Sequence, residues 1–92
     1  MSATIWKYPI IIADKQELSM PGEAEVLSVG LDPGGTPCVW ARVQPGEPNA
    51  KVYLRLYGTG HQCDAPPEWP FIGTFVLGVF VGHVFASRGV TR

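Results

Sequence analysis

Ala50-Lys51-Val52-Tyr53-Leu54-Arg55-Leu56-Tyr57 alternates apolar with larger polar or aromatic side chains over its whole length. Successive side chains of a strand point to opposite faces, so Val52, Leu54 and Leu56 share one face, and Tyr53, Arg55 and Tyr57 share the other. Gly58-Thr59-Gly60 then breaks the run. Upstream, residues 37–43 repeat the pattern, with Val39, Ala41 and Val43 opposed to Cys38, Trp40 and Arg42. Asp32-Pro33-Gly34-Gly35 is a strong turn signal in front of them. It makes residues 24–31 the hairpin partner, with Leu27, Val29 and Leu31 opposed to Val26, Ser28 and Gly30.

The remaining pieces follow the same grammar. Residues 3–12 read as a first strand, and Pro9 inside it implies an edge position or a bend. Residues 16–20 are a short second strand, stopped by Pro21-Gly22. Residues 44–49 are a polar loop, and residues 61–70 a long Pro-rich one. Residues 71–77 and 79–86 are the last strands, and residues 87–92 a tail. Residues 14–18 suffice for a single helical turn at most. The expectation is an antiparallel all-β domain of six or seven strands, a small sandwich or partly open barrel with little or no helix.

Composition agrees. At 92 residues the chain is one domain, spanning 1–92. Hydrophobic residues at 46% exclude intrinsic disorder, and 11 Gly with 9 Pro are too many for a helical bundle. Charged residues make up only 16%, against the usual ~25%. The net charge is −1, and the seven basic residues are scattered singly. Binding to duplex nucleic acid draws its affinity from a basic stripe that neutralises phosphates, and none is visible. Residues 71–86 carry no Asp, Glu, Lys or Arg. The run still falls short of the ~20 residues of a spanning helix and is rich in Val and Phe, so it reads as two strands broken near Gly78, with no membrane role.

Placing the aliphatic triplets on one buried face leaves Trp40, Arg42, Tyr53, Arg55 and Tyr57 on the other. Aromatic rings interleaved with arginines give contact area at low entropic cost and planar forks for carboxylate or phosphate. The same residues also stabilise a sheet by cross-strand pairing alone. The readings that stand open are a plain structural face, a protein- or self-association face, and a small-ligand face. Gly58, Thr59, Gly60 and His61 form a possible ligand turn, because glycines let backbone N–H groups approach an anion. The turn lacks the Lys-Ser/Thr ending of a P-loop, and a tight β-turn is the favoured reading.

Catalytic signals are weak. His61-x-Cys63, His83 and Cys38 lack the paired spacing of a zinc site, so no metal and no cofactor is expected. Cys38 with His83, or Cys63 with His61, has the residue types of a thiolate–imidazole pair, but no spacing joins them. No catalytic residue is assigned, and the chain is not read as an enzyme. His83, alone on an apolar strand, reads as a satisfied structural histidine. Nothing resembles a secretory signal, so both cysteines are expected as free thiols.

Several segments carry a resemblance. They are Thr4-Ile-Trp-Lys-Tyr8, Met20-Pro21 with Ala24-Glu25-Val-Leu-Ser-Val29, and Gly35-Thr-Pro-Cys-Val-Trp-Ala41. Further along come Arg55-Leu-Tyr-Gly-Thr-Gly-His61, Ile72-Gly-Thr-Phe75 and His83-Val-Phe85. With these the chain resembles small bacteriophage and prophage proteins of unknown function. The resemblance implies a phage or prophage origin and the cytoplasm of the infected or lysogenic bacterium. It supplies no catalytic residues. The expected role is a non-catalytic accessory protein that binds a host protein or self-associates through the aromatic/Arg face, with a dimer favoured. The alternatives are a small-ligand, nucleotide-type binder and a virion structural component.

Overall fold

The computed structural model describes residues 2–87. Their seven strands are β1 Thr4–Pro9, β2 Lys15–Pro21, β3 Glu25–Leu31, β4 Pro37–Val43, β5 Asn49–Gly58, β6 Phe71–Leu77 and β7 Phe80–Ala86. They form two antiparallel sheets, ordered β1-β4-β3 and β2-β5-β7-β6, with no helix among the described residues and no closed barrel. The all-β expectation and the number of strands hold. Of the expected tail, only Ser87 lies within the described residues.

The sheets pack face to face. Val39, Ala41 and Val43 of β4 meet Val52, Leu54 and Leu56 of β5, with Phe75, Val84 and Ala86, in one buried core. The molecule measures 41 × 31 × 15 Å between its outermost Cα atoms. Its short axis suits two layers with the usual ~10 Å spacing. Each buried Leu or Val side chain contributes roughly 1.5–3 kcal/mol. The sheets approach along β3 and β6, where an added Cβ on Gly73 would meet Val29 Cγ1 at 3.3 Å. Gly82 lies still deeper, beneath Leu56, Phe75 and Phe80.

One expected triplet is redistributed. The β3–β4 register shifts between Val26 and Ser28, which leaves Leu27 as the extra residue of a bulge. Val26 and Val29 therefore pack on the core, whereas Leu27 is 38% exposed. Alternation alone put Leu27 on the buried face, and a single inserted residue reverses the parity on one side of it.

Asp32 builds the β3–β4 turn. Its Oδ1 accepts hydrogen bonds from the Gly34 and Thr36 N–H groups, both at 2.9 Å, and Lys7 Nζ donates to Oδ2 at 2.9 Å. These bonds, that from Lys7 foremost, hold the carboxyl down at about 2. The turn is thereby tied to edge strand β1.

Candidate functional site

The expected aromatic/Arg face is divided between the two sheets. Trp40 and Arg42 alternate with the buried residues of β4, so they point outward from the three-stranded sheet. Arg42 pairs there with Glu25, and Trp40 packs close over Gly30. Tyr53, Arg55 and Tyr57 alternate with the buried residues of β5 and point outward from the four-stranded sheet. Because the inner faces share one core, the outer faces look in opposite directions. The single five-residue face is corrected to two. A sequence states which residues share a side of a strand, but not which sheet the strand joins.

The β5 half of the set gains new neighbours. Tyr57 stands edge-on to Phe85 at 6.0 Å between centroids, and Phe85 is tilted against Phe71 at 5.3 Å. The register explains the row: Arg55 lies opposite Phe85 on β7, and Phe85 lies opposite Phe71 on β6. Phe71 is 55% exposed. On the other flank Trp69 covers Arg55, with the guanidinium carbon 5.2 Å from the ring centroid. A band of aromatic rings thus crosses the outer face of the sheet. Phe71 and Phe85 were missed as site residues because the uncharged run from 71 to 86 read simply as buried strands, and Trp69 because residues 61–70 read as an irregular loop. The cross-strand register that brings them beside Tyr57 is a tertiary property.

Arg55 is held on three sides. Its Nη1 donates to the Asp64 carbonyl and to Asp64 Oδ1, both at 3.3 Å, while the Trp69 ring lies over the guanidinium. Tyr57 Oη donates to the same Oδ1 at 2.6 Å. The Tyr57 hydroxyl, with Arg55 close by, lowers the Asp64 carboxyl from its ordinary value, and burial raises the Tyr57 phenol. These contacts pin the loop between β5 and β6 onto the sheet. Beside them a groove of about 400 Å³ runs between Lys15, Glu17, Tyr53, Arg55 and Trp69. A second cleft of about 330 Å³ gathers Lys15, Arg55, Tyr57 and His61 with Asp14 and Asp64.

The Gly58–His61 segment is a tight turn. The His61 N–H donates to the Gly58 carbonyl at 3.1 Å, and Gly60 has φ = 88°, a conformation open to glycine and costly for most residues. Thr59 and Gly60 are exposed. Thr59 Oγ1 lies 2.6 Å from His83 Nε2, and Thr74 Oγ1 lies 2.9 Å from His83 Nδ1. Both ring nitrogens of His83 are thereby satisfied, so the turn is fastened to β7 and β6.

The candidate pair of Cys38 with His83 does not assemble. Cys38 is buried, its Sγ bonds to the Thr36 carbonyl at 3.3 Å, and burial raises its thiol pKa. Cys63 is exposed, and His83 is occupied by the two threonines. Both cysteines are free. Among the described residues, no three His, Cys, Asp or Glu side chains gather to hold a metal ion. No helix of the described residues is long and apolar enough to cross a membrane.

No curated protein and no solved structure matches the chain. One family pattern does, and it covers residues 1–91. The chain belongs to that family, which is described as a domain of unknown function, DUF7352.

Proposed function

We propose that this chain is a non-catalytic accessory protein of phage or prophage origin, and that it holds a host protein against the outer face of its four-stranded sheet. One observation carries the reading. The band Trp69, Arg55, Tyr57, Phe85, Phe71 lies on the side of an antiparallel sheet that ordinarily carries polar residues. Rigid rings around an arginine are the chemistry of interface anchors. Arg55 and Tyr57 act mainly by presenting the loop, because Asp64 already engages both. Phe71, Tyr53 and Trp69 offer the contact area. The site of such a protein is the cytoplasm of the bacterium that the phage infects.

The test is affinity capture from a bacterial lysate, followed by rebinding of the purified captured protein. Wild type is compared with Phe71→Ser and Tyr53→Ser, which leave the core and the loop contacts intact. A partner that rebinds wild type at least tenfold more tightly than either variant supports the face. Equal rebinding by all three removes it.

A second reading rests on the cleft that joins Lys15, Arg55 and His61. It would take a small phosphorylated ligand such as a nucleotide, whose phosphate must displace Asp64 from Arg55. Thermal-shift measurements with nucleotides at millimolar concentration decide it, since a ligand that binds only the folded state raises its stability.

A further inference from the structure

We propose that strand β1 pairs edge to edge with β1 of a second copy of this chain, antiparallel, with Trp6 on the dyad. The interface is separate from the aromatic sheet face and stands or falls independently of it.

The backbone of β1 dictates the geometry. The Ile10 N–H donates to the Pro37 carbonyl at 2.9 Å, which fixes the parity of the β1–β4 ladder. In that ladder Thr4 lies opposite Val43, Trp6 opposite Ala41 and Tyr8 opposite Val39. These pairs have the same parity as Ile10 with Pro37, so Thr4, Trp6 and Tyr8 spend their backbone groups on β4. Ile5, Lys7 and Pro9 turn theirs outward, where no further strand is present among the described residues. Pro9, which has no N–H, sits where no donor is needed within this sheet.

An open edge invites another strand, and natural proteins blunt such edges with charge. Here the blunting is partial: Pro9 stops pairing at one end of β1, while Ile5 and Lys7 keep outward N–H groups. Lys7 is the only charged residue of β1, and its ammonium is committed to Asp32. Ile5 is 60% exposed and Trp6 40%. A second copy therefore meets this edge without an uncompensated charge. With Trp6 on the dyad, Ile5 of each copy faces Lys7 of the other, and the outward backbone groups of both residues are satisfied. A dyad at Lys7 instead sets two ammonium groups against each other and places Pro9 of each copy opposite Ile5 of the other, with two donors lost. The Trp6 residues occupy a non-hydrogen-bonded position, roughly 4.5 Å apart at Cα, where the rings cover each other.

Size sets the strength. Five of the six residues of β1 are exposed, and pairing covers only their outer flank, which keeps the contact below the ~1,200 Å² of standard specific interfaces. The dimer is accordingly weak, with a dissociation constant on the order of 10–100 µM, since area and the cost of association offset each other closely.

Sedimentation equilibrium across the micromolar to millimolar range tests it. Wild type is expected to pass from monomer to dimer. Ile5→Pro removes an outward N–H, as Pro9 already does, and is expected to weaken the dimer at least tenfold with an unchanged far-ultraviolet spectrum and melting transition. In a Cys63→Ser background, Trp6→Cys is expected to cross-link on mild oxidation, because its Cα separation falls within the ~4.4–6.8 Å of a disulfide, whereas Ile5→Cys is not. A wild type that stays monomeric at 1 mM, a folded Ile5→Pro that dimerises like wild type, or cross-linking of Ile5→Cys in preference to Trp6→Cys overturns the proposal. Loss of the dimer in Phe71→Ser with Ile5→Pro unaffected assigns self-association to the aromatic face and also overturns it.

Discussion

Arg55 and Trp69 stack on the outer face of the four-stranded sheet, the guanidinium carbon 5.2 Å from the ring centroid. They come from opposite ends of the Pro-rich segment between β5 and β6. Arg55 also holds the Asp64 carboxylate and carbonyl. One side chain therefore clamps a loop that carries few backbone hydrogen bonds of its own.

Replacing that clamp has a directed consequence. Arg55→Ala is expected to raise amide hydrogen exchange across residues 61–70 by about tenfold, and to shift Trp69 emission to the red, with the strands unaffected. Arg55→Lys restores little, because an ammonium has neither the planar fork nor the flat stacking surface. Exchange at wild-type rates in Arg55→Ala removes the clamp.

A second prediction concerns the core. A Cβ on Gly82 would stand 2.8 Å from Leu56 Cδ1, Phe75 Cε1 and Phe80 Cε2 at once. Leu56 and Phe75 are buried, so both have to shift within the core to admit the methyl group. Gly82→Ala is expected to destabilise by about 1–3 kcal/mol through overpacking. For a domain of this size that lowers the melting temperature by roughly 4–8 °C per kcal/mol. Gly46→Ala serves as the control, since its Cβ would meet nothing within 4 Å. Equal melting of the two variants contradicts the packing argument.

The strands were legible because their evidence is local. Alternation in residues 50–57 and the Asp32-Pro33-Gly34-Gly35 turn are readable without knowing any partner strand, and β5 and the β3–β4 hairpin form where they were read. Register was not legible. The bulge at Leu27 changes which apolar residues reach the core, and alternation cannot register an inserted residue. The candidate face suffered more. Tyr53, Arg55 and Tyr57 remain together because one strand carries them. Trp40 and Arg42 left because β4 pairs with β1 and β3, while β5 pairs with β2 and β7. Phe71 and Phe85 entered through a pairing between strands distant from β5 in sequence. Sheet membership depends on the summed burial of every strand, which no short window contains.

Thiol chemistry follows from the separation of the two cysteines. Cys63 is exposed, whereas Cys38 is fully enclosed and its thiol pKa is raised by burial. Only the thiolate is reactive. Titration of the native protein with an aromatic disulfide reagent at pH 8 is expected to consume a single thiol per chain quickly, and the other only on unfolding. Cys63→Ser is expected to abolish the fast phase. Two fast thiols, or a fast phase that survives in Cys63→Ser, overturn the assignment.

The pH dependence of stability should show Asp32 at its acid end. Its carboxyl titrates at about 2 in the folded chain, below the ordinary value of 3.8. Between those values the unfolded chain binds more protons, so stability rises with pH there. The contribution is complete above the ordinary value and is lost as pH falls through it toward about 2. Lys7, raised by the same pair, has the opposite sign: its contribution is complete below 10.5 and is lost as pH climbs past the raised value. Asp32→Asn keeps an acceptor for the Gly34 and Thr36 N–H groups but gives up the charge against Lys7. It is expected to fold, to melt lower than wild type at pH 7, and to flatten the acid limb of melting temperature against pH between about 4 and 2. Asp32→Ala loses the turn bonds as well and is expected to melt lower than Asp32→Asn across the whole range. An acid limb of wild-type steepness in Asp32→Asn places the protons elsewhere and removes the Lys7–Asp32 tie as its cause.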